Sequence, residues 1–297
     1  MKNKKVLLGL VITGAVFVFF IVPMILFMFL IAGNESMPWG EGVGLVEVEG
    51  VILDSRETVR QLIDFEKDER VRAVVLRVDS PGGVVGPSQE IYAEVKRLSS
   101  KKKVVVSMGS LAASGGYYIA APASEIIANP GTITGSIGVL MKISNIEELL
   151  GKVGVKAYTL KTGKYKDSGS PLRVMTSNDK KMLEGVIYSA HNQFVRAVAD
   201  GRRLPVNEVR IIADGRIFTG EQALPLKLID RIGTYQDAVE EAGKLGGIKG
   251  EPRVIRPTGK GNSWIDMLME GTASRIAESV RKERGLSLRY ELDGAIR

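Results

Sequence analysis

The chain has 297 residues, 44% of them apolar and 25% charged, with a net charge of +7. That length holds one large α/β domain or two small ones, and the positive charge lacks the interleaved aromatics of a nucleic-acid surface, so no nucleic-acid partner is expected. There is no cysteine and one histidine, which argues against disulfides, a thiolate nucleophile, cysteine zinc sites and histidine-rich metal centres.

Lys2, Lys4 and Lys5 precede an uncharged run from Val6 to Ala32. A cleaved signal has an apolar core of roughly 7–15 residues. This run is about twice that, enough to span roughly 30 Å of hydrocarbon with some tilt or a kink at Pro23. The expectation is an uncleaved transmembrane anchor within residues 1–33, with the lysines cytoplasmic and the remainder extracytoplasmic. Residues 34–42 read as a linker, 43–249 as the folded domain, and 250–297 as a tail.

Within the domain, "VGLVEVEG" alternates like a strand. "DSRETVRQLIDFEKDERV" reads as a helix that Asp54 or Ser55 caps. "VRAVVLRVDSPGG" is a buried strand closed by a glycine turn. "PSQEIYAEVKRLSS" is a helix with Ile91, Val95 and Leu98 on one face, and "KKVVVSM" is the next strand. "SEIIANPGTITGSIGVL" holds another strand and more turns, and an amphipathic helix runs from about Ser177 to Arg203. Strands alternating with helices predict βαβ or ββα units and a largely parallel sheet covered by helices. The tail carries an amphipathic pattern around Trp264, Ile265, Leu268 and Ile276. Its end, "LRYELDGAIR", is expected to reach a neighbouring site as a product-like peptide.

The chemistry centres on "GSLAASGGYYIA". Ser114 lies among small residues between a strand and an apolar helix, which resembles a nucleophile elbow without the strict G-x-S-x-G form. On this alone, a packing turn is an equal reading. "DSPGG" also ends a strand, and Gly82 and Gly83 allow backbone amides to approach a ligand closely. His191 sits beside the apolar face of its helix and reads as a packing residue. A neutral lysine can replace histidine as the base. Lys161, Lys164 and Lys166 in "KTGKYKDSG" are the candidates, and spacing does not choose among them.

Together, "DSPGG", "GSLAASGGYYIA", "NPGTITGSIGVL", "KTGKYKDSGSP" and "GRIFTGEQALPLKLID" resemble the signal peptide peptidase A family over roughly Val43 to Gly246. These are membrane-anchored bacterial serine peptidases of the ClpP/crotonase-type α/β fold, and this chain is similar to their short, single-domain form. The resemblance implies Ser114 as nucleophile, Lys166 as general base, Ser136 as the group that orients the lysine, and the Gly83 and Gly115 amides as the oxyanion hole. It implies no cofactor and no metal. The implied substrates are cleaved signal peptides and other apolar peptides at the membrane. The implied assembly is a cyclic homo-oligomer whose sites take serine and lysine from neighbouring subunits. Competing readings are a related membrane protease that cuts a membrane protein partner, a crotonase-like acyl-CoA enzyme, and a non-enzymatic membrane scaffold.

Overall fold

The computed structural model describes residues 17–24, 40–257 and 289–291. It separates into two units, residues 1–40 and 41–297. In the first, Phe17–Ile21 is a π-helical turn, followed by helical residues 22–24. The expected anchor lies mostly outside the described residues, as does the tail helix expected around Trp264. Among the described residues, no helix is long and apolar enough to cross a membrane.

The second unit begins β1 (Gly42–Glu49), α1 (Arg56–Lys67), β2 (Val71–Ser80), β3 (Gly82–Val84), α2 (Val85–Ser99), β4 (Lys103–Ala113) and α3 (Gly115–Ala120). It continues β5 (Glu125–Ala128), β6 (Ile133–Gly135), α4 (Glu147–Lys152), α5 (Ser177–Arg202), α6 (Val206–Ile212) and β7 (Ile217–Thr219). Then come α7 (Gly220–Ala223), β8 (Arg231–Ile232), α8 (Tyr235–Leu245), β9 (Val254–Ile255) and β10 (Arg289–Glu291).

The main sheet runs β7-β6-β4-β2-β1-β9, and β5 pairs with both β4 and β8. Among the described residues, every pairing within this sheet is parallel except β6 with β7, and β10 pairs antiparallel with β3 in a separate two-stranded sheet. Parallel strands need both faces covered, which is why they read as unbroken apolar runs. Alternate residues divide between two cores. Val46, Val48, Val74, Leu76, Val104 and Val106 pack with Leu62 and Phe65 of α1, Ile91 and Val95 of α2, and Phe194 and Val198 of α5. Val43, Leu45, Val75 and Val105 pack on the other side with Ala238, Val239 and Ala242 of α8.

Strand β4 is longer than "KKVVVSM" predicts. Its first half pairs with β5, and Leu111–Ala113 pair with β6, so the small residues before Ser114 stay extended. At the start of α1 the structure chooses between the two expected caps. Ser55 occupies the cap position without a side-chain cap bond, because its hydroxyl donates to Glu90. Asp54 instead accepts from the Arg56 N–H at 2.8 Å. Strand β9 extends the sheet beyond residue 249 by pairing with β1.

Helix α3 is wholly buried, and its position is fixed from within. The Tyr117 hydroxyl donates to the Leu228 carbonyl at 2.9 Å, in a site that pushes the phenol pKa upward through burial. Tyr117→Phe leaves that carbonyl without its partner, at a cost of about 1–2 kcal/mol. A lower urea midpoint with an unchanged slope is the expected result. An unchanged midpoint would show that the bond contributes no net stability.

Candidate active site

Ser114 joins β4 to α3 with φ 53° and ψ −116°, a conformation that L-residues rarely adopt and that costs on the order of 1–3 kcal/mol. Two backbone bonds hold it. Its N–H donates to the Gly135 carbonyl, and its own carbonyl accepts from the Tyr118 N–H, each at 2.8 Å. The side chain therefore leaves the strand just where the short, buried α3 begins, and the residue is almost fully buried.

Ser136 follows Gly135, which is paired with Ala113. It too has positive φ, 50°, and its N–H donates to the Arg216 carbonyl at 2.8 Å. Ser114 and Ser136 thus stand at the ends of adjacent strands.

The third approach is β3. A Cβ on Gly82 would collide with the Tyr290 carbonyl oxygen and lie 2.5 Å from the Gly115 nitrogen. A Cβ on Gly83 would collide with the Ile52 carbonyl. Only glycine lets β3 fit between the chain at Ile52, the start of α3 and β10. Ser80 supports the turn by donating to the Gly50 carbonyl at 2.6 Å and accepting from the Gly82 N–H at 3.1 Å. Gly83, Gly115, Ser114 and Ser136 thus sit on segments that converge at the ends of β3, β4 and β6.

Lys166 is placed differently. It lies in a turn, exposed, and among the described residues it has no hydrogen bond to Ser114 or Ser136. Its loop is nonetheless anchored. Asp167 pairs with Arg173 at 2.9 Å and with Lys161. Arg173 also reaches Asp179 at 2.8 Å, and the Ser168 hydroxyl donates to Asp179 at 2.5 Å. Asp179 closes a capping box with Thr176 at the start of α5. Arg173 holds both carboxyls well below the usual carboxylate range, helped at Asp167 by Lys161 and at Asp179 by Ser168. Lys164 lies over the Tyr165 ring. His191 packs half-buried, with Nε2 2.8 Å from the Ala213 carbonyl, as a packing histidine should.

The sequence reading missed an aromatic cluster behind β3. Tyr118 contacts Tyr92, Phe194 and Tyr290 with ring centroids 4.8–5.0 Å apart. The second tyrosine of "GGYYIA" and Phe194 on the apolar face of α5 were legible as core residues, but their meeting beside Gly83 depends on tertiary packing.

A profile of peptidase family S49 matches residues 96–249, and a Clp protease profile matches residues 52–132. A candidate protease of Synechocystis sp. is 46% identical over 69% of this chain and 75% of its own length. A candidate signal peptide peptidase of Enterococcus faecium is 37% identical over 67% of this chain and 62% of its own. Protease 4 of Salmonella typhi is 36% identical over 71% of this chain but only 35% of its own.

The strain at Ser114 has a measurable consequence. Glycine tolerates positive φ, whereas alanine retains the penalty. Ser114→Gly is therefore expected to be more stable than Ser114→Ala by about 1 kcal/mol, read as a higher thermal midpoint. A lower midpoint for glycine would contradict a strained turn at this residue.

Proposed function

The chain belongs to peptidase family S49, and from that premise we propose that it is a membrane-anchored serine endopeptidase that degrades remnant signal peptides through Ser114 and Lys166. The observation that carries this reading is the strained Ser114 turn beside the glycine-lined β3. It presents one hydroxyl where strand-end and helix-start amides favour negative charge.

In this mechanism neutral Lys166 takes the Ser114 proton, and the serine oxygen attacks a peptide carbonyl. The Gly83 and Gly115 amides stabilise the oxyanion. Lys166 then protonates the leaving amine, and later takes a proton from the water that releases the acyl group. Ser136 orients the lysine. The uncharged run at 6–32 holds the domain at the bilayer, where apolar peptides collect.

The base comes from a neighbouring copy of the chain. Two observations support this. Lys166 is exposed and unbonded to Ser114 within one chain. The chain before it also exposes large apolar side chains, including Leu149, Val153, Tyr158 and Leu160, the last fully exposed. Apolar surface of this kind, leading into a loop pinned by Arg173, is what an interface buries.

Two experiments test the proposal. A serine-directed acylating probe should label the wild-type chain and leave Ser114→Ala unlabelled. Equal labelling of both would remove Ser114 as nucleophile. Separately, inactive Ser114→Ala and Lys166→Ala chains are unfolded, mixed in equal amounts and refolded together. Sites shared across a cyclic interface should recover up to about a quarter of the wild-type activity. No recovery, in mixtures shown to contain both chains in one assembly, would place serine and lysine in the same chain.

A further inference from the structure

Arg173 directs all three of its guanidinium nitrogens into the loop that follows Lys166. Nε and Nη2 donate to the two carboxylate oxygens of Asp167, each at 2.9 Å, and Nη2 also donates to the Asp167 backbone carbonyl at 3.3 Å. Nη1 donates to the Asp179 carboxylate at 2.8 Å and to the Val174 carbonyl at 3.0 Å. A guanidinium carries five N–H donors in a rigid planar fork, and each has an acceptor here. The far end of the bridge is itself fixed. Asp179 is buried, accepts from the Thr176 N–H at 3.0 Å, and accepts from the Ser168 hydroxyl at 2.5 Å.

Two consequences reach Lys166, the residue before Asp167. The first is geometric. A lysine side chain is flexible, so where its ammonium can go is set by where its backbone starts. Arg173 holds both the side chain and the carbonyl of the adjoining residue, and thus fixes that starting point against the first turn of α5. The second is electrostatic. A carboxylate beside a lysine favours the ammonium form, which accepts no proton. Arg173 and Lys161 both pair with Asp167, so its charge is answered within the loop and is not left to Lys166.

We infer that Arg173 is a positioning residue for the general base: by bridging Asp167 to Asp179 it presents Lys166, already shaped and free of its neighbouring carboxylate, to the Ser114 of an adjoining copy. The inference rests on the peptidase reading above. Arg173 acts through Lys166, so its effect belongs to the chain that supplies the lysine and not to the chain that supplies the serine. Loss of the bridge slows proton transfer and leaves Ser114 and the glycine amides untouched, so kcat falls while KM holds. Displacing a reacting group by about 1 Å costs on the order of 100-fold. Lysine at 173 keeps the charge but lacks the fork that spans both carboxylates, and methionine keeps only the apolar stem.

The test uses the full chain in detergent micelles and a quenched peptide of leucine and alanine residues. Arg173→Met should lower kcat by about 10- to 100-fold with KM within about twofold, and Arg173→Lys should recover part of the loss. Mixing then locates the effect. Arg173→Met refolded with Ser114→Ala should regain up to about a quarter of wild-type activity, because the Ser114→Ala chain offers an intact Arg173 and Lys166 to the other chain's serine. Arg173→Met refolded with Lys166→Ala should stay at or below Arg173→Met alone, since neither chain supplies a positioned lysine. Should Arg173→Met fail to fold, Arg173→Lys goes through the same mixtures. Wild-type kcat in the variants, recovery with Lys166→Ala, or equal failure in both mixtures would overturn the inference and leave the peptidase reading standing. Failure of the Ser114→Ala and Lys166→Ala pair would overturn the shared site, and the kcat order of Arg, Lys and Met then decides the role of Arg173 by itself. An inert wild-type chain with an unlabelled Ser114 would overturn both readings.

Discussion

The chain must pass from an eleven-residue strand into a buried helix across one residue, and much of the candidate site follows from how that residue turns. Ser114 does this at positive φ, pinned through its N–H by Gly135 and through its carbonyl by Tyr118. The turn is tight enough that side chains are excluded around it. Gly82 and Gly115 are within touching distance of each other, and a Cβ on Gly116 would lie 2.7 Å from the Ser80 carbonyl. The run of small residues in "AASGG" is thus a steric requirement of β4 meeting α3 beside β2 and β3. The energy that holds this strain comes from the surrounding cores, in which α3 is buried on all sides.

The same exclusion of side chains gives β3 a second edge. One edge bonds to Ile52, and the other carries the Gly83 amide and carbonyl to β10. An edge beside a strained serine is suited to receiving an extended backbone, because ladder bonds align the carbonyl while alternate side chains enter pockets. In the proposed chemistry, alignment and charge stabilisation therefore use one short segment.

Much of this was legible in the sequence for identifiable reasons. The strands are buried on both faces, so their apolar runs stand out, and α5 carries a clear period. "DSPGG" and "AASGG" were conspicuous because steric exclusion leaves a compositional mark. The cap of α1 was legible only as a choice between Asp54 and Ser55, and it falls to Asp54 because the Ser55 hydroxyl has a distant partner, Glu90, which local pattern cannot reveal. The choice among Lys161, Lys164 and Lys166 was equally illegible from spacing. In the structure Lys161 is tied to Asp167 and Lys164 lies over Tyr165, so two of the three ammonium groups already have local partners. The aromatic cluster was hidden because Tyr92, Tyr118, Phe194 and Tyr290 are scattered along the chain.

Lys166 is the group that the single chain does not bring to Ser114. Its loop is not loosely held, since Arg173 bridges Asp167 and Asp179 and thereby ties it to the first turn of α5. A loop fixed this firmly, and preceded in the chain by exposed Leu149, Val153, Tyr158 and Leu160, has its shape set before it meets a partner surface. Pre-set loops lose little conformational entropy on association. In the proposed assembly, the base would then be delivered by docking of a rigid segment. Hydrolysis would depend on subunit contact for its proton transfer, while the strained serine and the glycine amides would already be complete within each chain.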